Sequence, residues 1–135
     1  MFSTQNIEMG KSYKVLIIDD SEEILRTYKK FFKKKNYIVS TASNGLDGLK
    51  ILQTDPCGYD LVITDIVMPN ISGVGIISIV KKKFPNILIV AITGWGEHPE
   101  MLASEAEADL VLDKPIDLSE LDKLIINLLK SKKKV

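Results

Sequence analysis

The sequence predicts an α/β fold in which a five-stranded parallel sheet carries helices on both faces. Its 135 residues alternate between short apolar runs rich in branched side chains and segments whose apolar residues recur at helical spacing. The runs are almost continuously apolar, which is typical of strands that are buried on both faces. With right-handed crossovers, the doubly wound, flavodoxin-like strand order 2-1-3-4-5 brings the first and third strands together.

The first half of the chain contains three predicted strands and two predicted helices. The strands cover residues 14–18, 37–42 and 59–64. Ser21 is a good N-cap for the first helix, whose apolar pattern runs to Lys35. A shorter helical pattern over 44–53 ends before a turn at 55–58, which contains proline and glycine.

The second half of the chain contains two predicted strands and three predicted helices. The strands cover residues 87–92 and 110–112. A helix over 72–83 ends before Pro85, because proline cannot continue the helical hydrogen bonding. The pattern over 99–107 is a weak helix with few large apolar residues, whereas the leucine-rich pattern over 118–129 is strong.

Length and composition favour one domain, with a leader at 1–13, the folded domain at 14–130 and a basic tail at 131–135. Lys and Arg number 18, as do Asp and Glu, so the net charge gives no overall attraction to nucleic acid or membrane. No apolar stretch approaches the ~18 residues that span a bilayer. Cys57 is the only cysteine, so no intramolecular disulfide can form, which fits a cytoplasmic location.

Three carboxylates follow two of the predicted strands. Asp19 and Asp20 come directly after the first strand, and Asp65 comes directly after the third. Ligands of open parallel sheets bind at the carboxyl ends of the strands, where these acids are expected to meet. Because crowded carboxylates repel one another, a hard divalent cation is their natural partner. The sequence therefore predicts a Mg²⁺ site at this edge.

Two further residues extend the predicted site toward phosphate chemistry. Thr93 follows the fourth strand, and Lys114 follows the fifth and precedes Pro115. A metal ion, an ammonium group and a hydroxyl donor together can stabilise a phosphoryl group during transfer. A carboxylate that the metal does not fully occupy, such as Asp65, can then act as the nucleophile.

Four motifs resemble those of the response-regulator receiver domains of two-component phosphorelays. They are VLIIDD at 15–20, DIVMPNISG at 65–73, AITG at 91–94 and DKP at 113–115. Each motif alone is weak, but all four occur in the expected order and on the expected strand ends. The resemblance covers about residues 14–130, which is nearly the whole chain.

For the metal, the resemblance implies that Asp20 binds Mg²⁺ directly, that Asp19 does so through water, and that Asp65 is also a ligand. Val67, two residues after Asp65, would contribute its backbone carbonyl. The cofactor implied is thus Mg²⁺, bound by oxygen ligands only.

For phosphoryl transfer, the resemblance implies that Asp65 accepts the phosphoryl group from a sensor histidine kinase or a histidine phosphotransfer protein. Lys114 would pair first with Asp65 and then with the phosphoryl oxygens. Thr93 would move to hydrogen-bond the phosphoryl group, and the peptide bond before Pro115 would be cis.

The sequence departs from the family pattern at three places. Val111 stands where many receivers have an aromatic residue that couples to the hydroxyl, so we expect the signal to leave through the loop after Thr93, the segment 99–107 or a changed homodimer preference. Val67 and Trp95 occupy the positions on which turnover depends, and neither can act as a base. We therefore expect slow self-dephosphorylation and no enzymatic turnover beyond it.

Two other functions stay open on the sequence alone. An Mg²⁺-dependent phosphohydrolase with an aspartate nucleophile would usually carry an acid at the position of Val67 and a substrate-covering cap. A non-phosphorylated interaction module would not need the complete acid set. The 135 residues leave no room for a DNA-binding output domain, so we expect a single-domain regulator or a fragment, with an unknown output protein as partner.

Overall fold

Five parallel strands form one sheet in the computed structural model, which describes residues 12–55, 58–66, 73–94 and 107–133. The strands are β1 (Lys14–Ile18), β2 (Ile38–Ala42), β3 (Leu61–Asp65), β4 (Leu88–Thr93) and β5 (Leu110–Asp113). The described helices are α1 (Glu22–Lys34), α2 (Gly45–Thr54), α3 (Gly73–Lys83) and α4 (Leu118–Lys133). The sheet order is β2-β1-β3-β4-β5, which confirms the predicted fold class.

The strand register explains why the ends of the strands lie at one edge. Ile18 of β1 pairs with Thr64 of β3, and Asp65 pairs with Ile92 of β4. Because the strands are parallel and nearly in step, their carboxyl ends form a continuous row, which we call the carboxyl edge. The opposite row, where the strands begin, is the amino edge.

The core lies in two layers, because successive side chains of each strand point to opposite faces of the sheet. On one face, Leu16 and Ile18 pack with buried residues of α2 and α3, and we call this layer the α2–α3 core. On the other face, Val15 and Ile17 pack with α1 and α4 in the α1–α4 core. Strands that are covered on both faces are apolar at nearly every position, which is the pattern the sequence shows.

Several predicted boundaries need correction. Asp65 and Thr93 are the last residues of their strands rather than the residues that follow them. The ladder continues past each of them, since Ile66 N donates to Ile92 O and Lys114 N donates to Thr93 O. Asp65 and Thr93 therefore both lie on regular, hydrogen-bonded strand backbone.

The chain ends of the predicted domain also differ. The carbonyl of Tyr13 accepts a hydrogen bond from Ile38 N and its side chain packs on the α1–α4 core, so Tyr13 belongs to the fold and not to the leader. Helix α4 continues to Lys133, into the predicted tail at 131–135. The predicted helix over 99–107 falls almost wholly outside the described residues.

None of the helices in the described ranges is both long enough and apolar enough to cross a bilayer.

Candidate functional site

Three carboxylates meet at the carboxyl edge, as the sequence predicted. Oxygen atoms of Asp19, Asp20 and Asp65 all lie within 4.8 Å of one another. Asp19 and Asp65 are each only 5% exposed, while Asp20 faces solvent. The cluster therefore has two buried members below one exposed member, which leaves it open to an ion from solution.

Asp19 is held in place by the start of α1. Its backbone N–H donates to the carbonyl of Ala42 at 3.1 Å, and its Oδ1 accepts a hydrogen bond from Ser21 N at 2.8 Å. Ser21 is also the N-cap of α1, since its hydroxyl accepts from Ile24 N at 3.3 Å. The loop between β1 and α1 thus fixes the direction of the Asp19 carboxylate.

The surroundings of Asp19 disfavour its charge. Burial raises the pKa of the Asp19 carboxyl, the Ser21 N–H opposes this, and the charge of Asp65 raises the pKa again. The Lys114 ammonium lowers the pKa of Asp19 by a smaller amount. Burial, and then the charges of Asp19 and Asp65, raise the pKa of the Tyr28 hydroxyl to about 12. The charge of the acid cluster therefore also acts on a side chain of α1.

Lys114 is the cation of the site. Its Nζ lies 3.4 Å from Asp65 Oδ2 and 3.8 Å from Asp19 Oδ2. The Lys114 backbone N–H donates to the carbonyl of Thr93 at 2.8 Å, and the Lys114-Pro115 peptide bond is cis, as predicted. Among the described residues, one ammonium therefore faces two buried carboxylates.

Thr93 lies at the predicted strand end, but its hydroxyl is not directed at Asp65. The side chain is fully buried, and Oγ1 donates to Asp113 Oδ1 at 2.5 Å, with the Leu112 carbonyl at 3.4 Å. Asp113 stands in the DKP motif at 113–115, and no role was predicted for it. The sequence offered one indication of this contact, because Asp113 directly follows a predicted strand that neighbours the strand of Thr93.

The donor set fits a magnesium ion. Among the described residues of the site there are three clustered carboxylates and one ammonium, which contacts two of them. Carboxylate oxygens are the ligands that hard divalent cations prefer, and an added cation would relieve the repulsion. Val67 and Trp95, which the sequence assigned to metal binding and turnover, lie outside the described residues.

Comparisons with known proteins agree with one another. The family model of the response regulator receiver domain matches residues 15–126. The photosynthetic apparatus regulatory protein RegA of Cereibacter sphaeroides is 28% identical over 114 residues, which cover 84% of this chain and 61% of RegA. The response regulator SaeR of Staphylococcus aureus is 31% identical over 121 residues, which cover 89% of this chain and 52% of SaeR. The chain thus spans a little over half the length of these curated relatives.

A solved structure is similar over nearly its whole length. It is a response regulator receiver domain protein from Clostridium thermocellum, with 34% sequence identity and a TM-score of 0.84. The alignment covers 90% of this chain and 97% of that one. The likeness therefore extends over most of both chains.

Proposed function

The chain belongs to the response regulator receiver domain family, and on that basis we propose that Asp65 accepts a phosphoryl group. The donor would be a phosphohistidine on a sensor histidine kinase or on a histidine phosphotransfer protein in the cytoplasm. The observation that carries this proposal is the position of Asp65, a buried carboxylate grouped with two other acids and 3.4 Å from an ammonium.

The transfer balances without any further reactant. One carboxylate oxygen of Asp65 attacks the phosphorus atom, and the new O–P bond forms as the N–P bond of the phosphohistidine breaks. The electron pair of the broken bond stays on the imidazole nitrogen, and a proton already on the other ring nitrogen, or one taken up from water, makes the leaving group a neutral histidine. The product on this chain is an acyl phosphate at Asp65.

The neighbouring residues supply positioning and charge. We propose that Asp19, Asp20, Asp65 and the backbone carbonyl of Val67 hold Mg²⁺, which when bound would neutralise negative charge on the phosphoryl oxygens. Lys114, already 3.4 Å from Asp65, would then shift its contact from the carboxylate to those oxygens. No other cation of the described residues has a recorded contact with this cluster.

The output of the reaction would be a change in protein–protein interactions, either with an output protein or between copies of this chain. Val111 is partly buried and packs on the α2–α3 core. A small aliphatic side chain at this place cannot report on the site by the rotation of an aromatic ring. We therefore propose that the signal leaves through Thr93 and the backbone that follows it.

The proposal is tested with the purified chain, Mg²⁺ and acetyl phosphate. Intact-mass measurement should show the addition of one phosphoryl group, and Asp65→Asn should show none. Asp60→Asn is the matched control, because Asp60 is an acid at the amino edge that contacts the backbone of Lys14. An adduct that persists in Asp65→Asn, or no adduct in the wild type, would contradict the proposal.

The same experiment measures the lifetime of the adduct. Because neither Val67 nor Trp95 can act as a base or activate water through its side chain, we expect slow loss of the phosphoryl group. Introducing a polar residue with Val67→Asp or Val67→Glu should shorten its half-life. An unchanged half-life in both variants would contradict the role that we give to this position.

A further inference from the structure

The hydroxyl of Thr93 is already in use. A hydroxyl carries a single proton, and here that proton is directed to Asp113 Oδ1 at 2.5 Å. Hydrogen bonds to ionised acceptors are shorter and stronger than those between neutral groups. The Thr93 hydroxyl cannot donate to Asp113 and to a phosphoryl oxygen on Asp65 at the same time.

The register of the sheet explains this contact. Thr93 and Asp113 are directly paired across β4 and β5, so their side chains leave the sheet on the same face. Because side chains alternate along a strand, Thr93 and Asp113 share their face of the sheet with Ala91 and Val111, which pack in the α2–α3 core. Lys114, one residue after the end of β5, has its ammonium in contact with Asp65.

We propose that Asp113 is a positioning residue that directs the Thr93 hydroxyl away from Asp65 in the unphosphorylated protein. A phosphoryl group on Asp65 must compete with the Asp113 carboxylate for the same proton. Asp113 therefore sets how readily the site changes to its phosphorylated arrangement. This inference rests on the proposed function, because it concerns the hydroxyl that would contact the phosphoryl group.

The location of Asp113 connects the competition for the Thr93 hydroxyl to the protein surface. The side chain of Thr93 is fully buried, while Asp113 is exposed at the end of the sheet. When the hydroxyl turns to the phosphoryl group, the Asp113 carboxylate loses its partner at the protein surface. The change at Thr93 would thus be coupled to a surface charge without any aromatic side chain at Val111.

The first test examines the protein without metal or phosphoryl group. Scalar couplings measured by NMR should show one χ1 rotamer for Thr93 in the wild type. Asp113→Ala should produce averaged couplings, because the hydroxyl loses its nearer acceptor and keeps only the Leu112 carbonyl at 3.4 Å, while Asp113→Asn should restore part of the preference. A Thr93 side chain that is averaged in the wild type, or unchanged in Asp113→Ala, would overturn the inference.

The second test titrates beryllofluoride with Mg²⁺ as a stand-in for the phosphoryl group. Removing the competing acceptor with Asp113→Ala should raise the affinity about tenfold, equivalent to about 1.4 kcal/mol, with a smaller gain for Asp113→Asn. Glu120→Ala removes an exposed acid of α4 that has no recorded contact with Thr93, and it should leave the affinity close to that of the wild type.

A double-mutant cycle separates positioning from simple charge removal. In a Thr93→Val background, which lacks the hydroxyl, Asp113→Ala should bring no gain in affinity. An equal gain in both backgrounds would overturn the inference while leaving the phosphoacceptor function of Asp65 intact. If wild-type protein binds no beryllofluoride at all, the proposed function fails, and the inference fails with it.

Discussion

The two edges of the sheet treat their acidic residues in opposite ways. At the amino edge, Asp109 accepts hydrogen bonds from Lys81 Nζ and Ile89 N, each at 2.8 Å. Asp60 accepts from the backbone N–H of Lys14 at 2.9 Å, and the Lys14 ammonium contacts Asp55. Each of these acids therefore has a donor of its own.

At the carboxyl edge, two acids of the three-acid cluster share one ammonium among the described residues. Lys114 lies 3.4 Å from Asp65 and 3.8 Å from Asp19, and the two carboxylates are almost fully buried. Taking charged groups out of water costs free energy even where they are paired. The difference fits the proposed function, in which the acids of the amino edge stabilise the fold and those of the carboxyl edge form the proposed metal and phosphoryl site.

Adding Mg²⁺ should produce the largest effect on this contrast. An ion that binds only the folded state should raise the free energy of unfolding by about 2.7 kcal/mol at a concentration about 100 times its Kd. Asp20→Asn should lose most of this increment, because Asp20 belongs to the acid cluster. Thermal or denaturant unfolding with and without the ion measures it.

The control for that experiment is at the other edge. Asp60→Asn should keep the full Mg²⁺ increment, whatever its own effect on stability, since Asp60 contacts the backbone of Lys14 and not the cluster. An increment that is equal in Asp20→Asn and in the wild type would mean that Mg²⁺ does not bind at the carboxyl edge.

Removing an acid from the amino edge should have the next largest effect, in the opposite direction. Asp109→Ala removes the acceptor of Ile89 N and the partner of Lys81, and should lower the free energy of unfolding by about 1–3 kcal/mol. Asp109→Asn should cost less, because its amide oxygen can still accept from Ile89 N.

Chemical denaturation measures this effect, and the Mg²⁺ increment should be unchanged in both Asp109 variants. A stability gain in Asp109→Ala would contradict the view that the acids of the amino edge stabilise the fold.

The fold could be predicted from sequence because each strand signals its own burial. Runs such as Val15 to Ile18 are apolar on both faces, and the alternation with helical patterns leaves few topologies. The ends of the elements were less accurate. The continuation of α4 to Lys133 was missed, because a sequence of lysines and serine carries no periodic apolar signal.

The site could be predicted only as far as strand ends determine it. The sequence predicted that Asp19, Asp20, Asp65 and Lys114 lie together, because parallel strands place their ends in a row. The structure has these residues grouped at the carboxyl edge. The direction of the Thr93 hydroxyl could not be predicted. It depends on cross-strand pairing with Asp113, which is set by the register between β4 and β5 rather than by either strand alone.

The smallest expected effect comes from Asp19→Asn in the absence of metal, and it depends on pH. Burial raises the pKa of Asp19 above its ordinary value, so the folded state holds this proton more tightly than the unfolded state. As pH rises between these two pKa values, the unfolded chain loses its proton first and stability falls. Asp19→Asn, which keeps an oxygen for Ser21 N, should therefore stabilise the protein at neutral pH and bring no gain below the ordinary pKa. Urea unfolding at both pH values measures this difference, and a gain that is equal at both would show that the charge of Asp19 is not its cause.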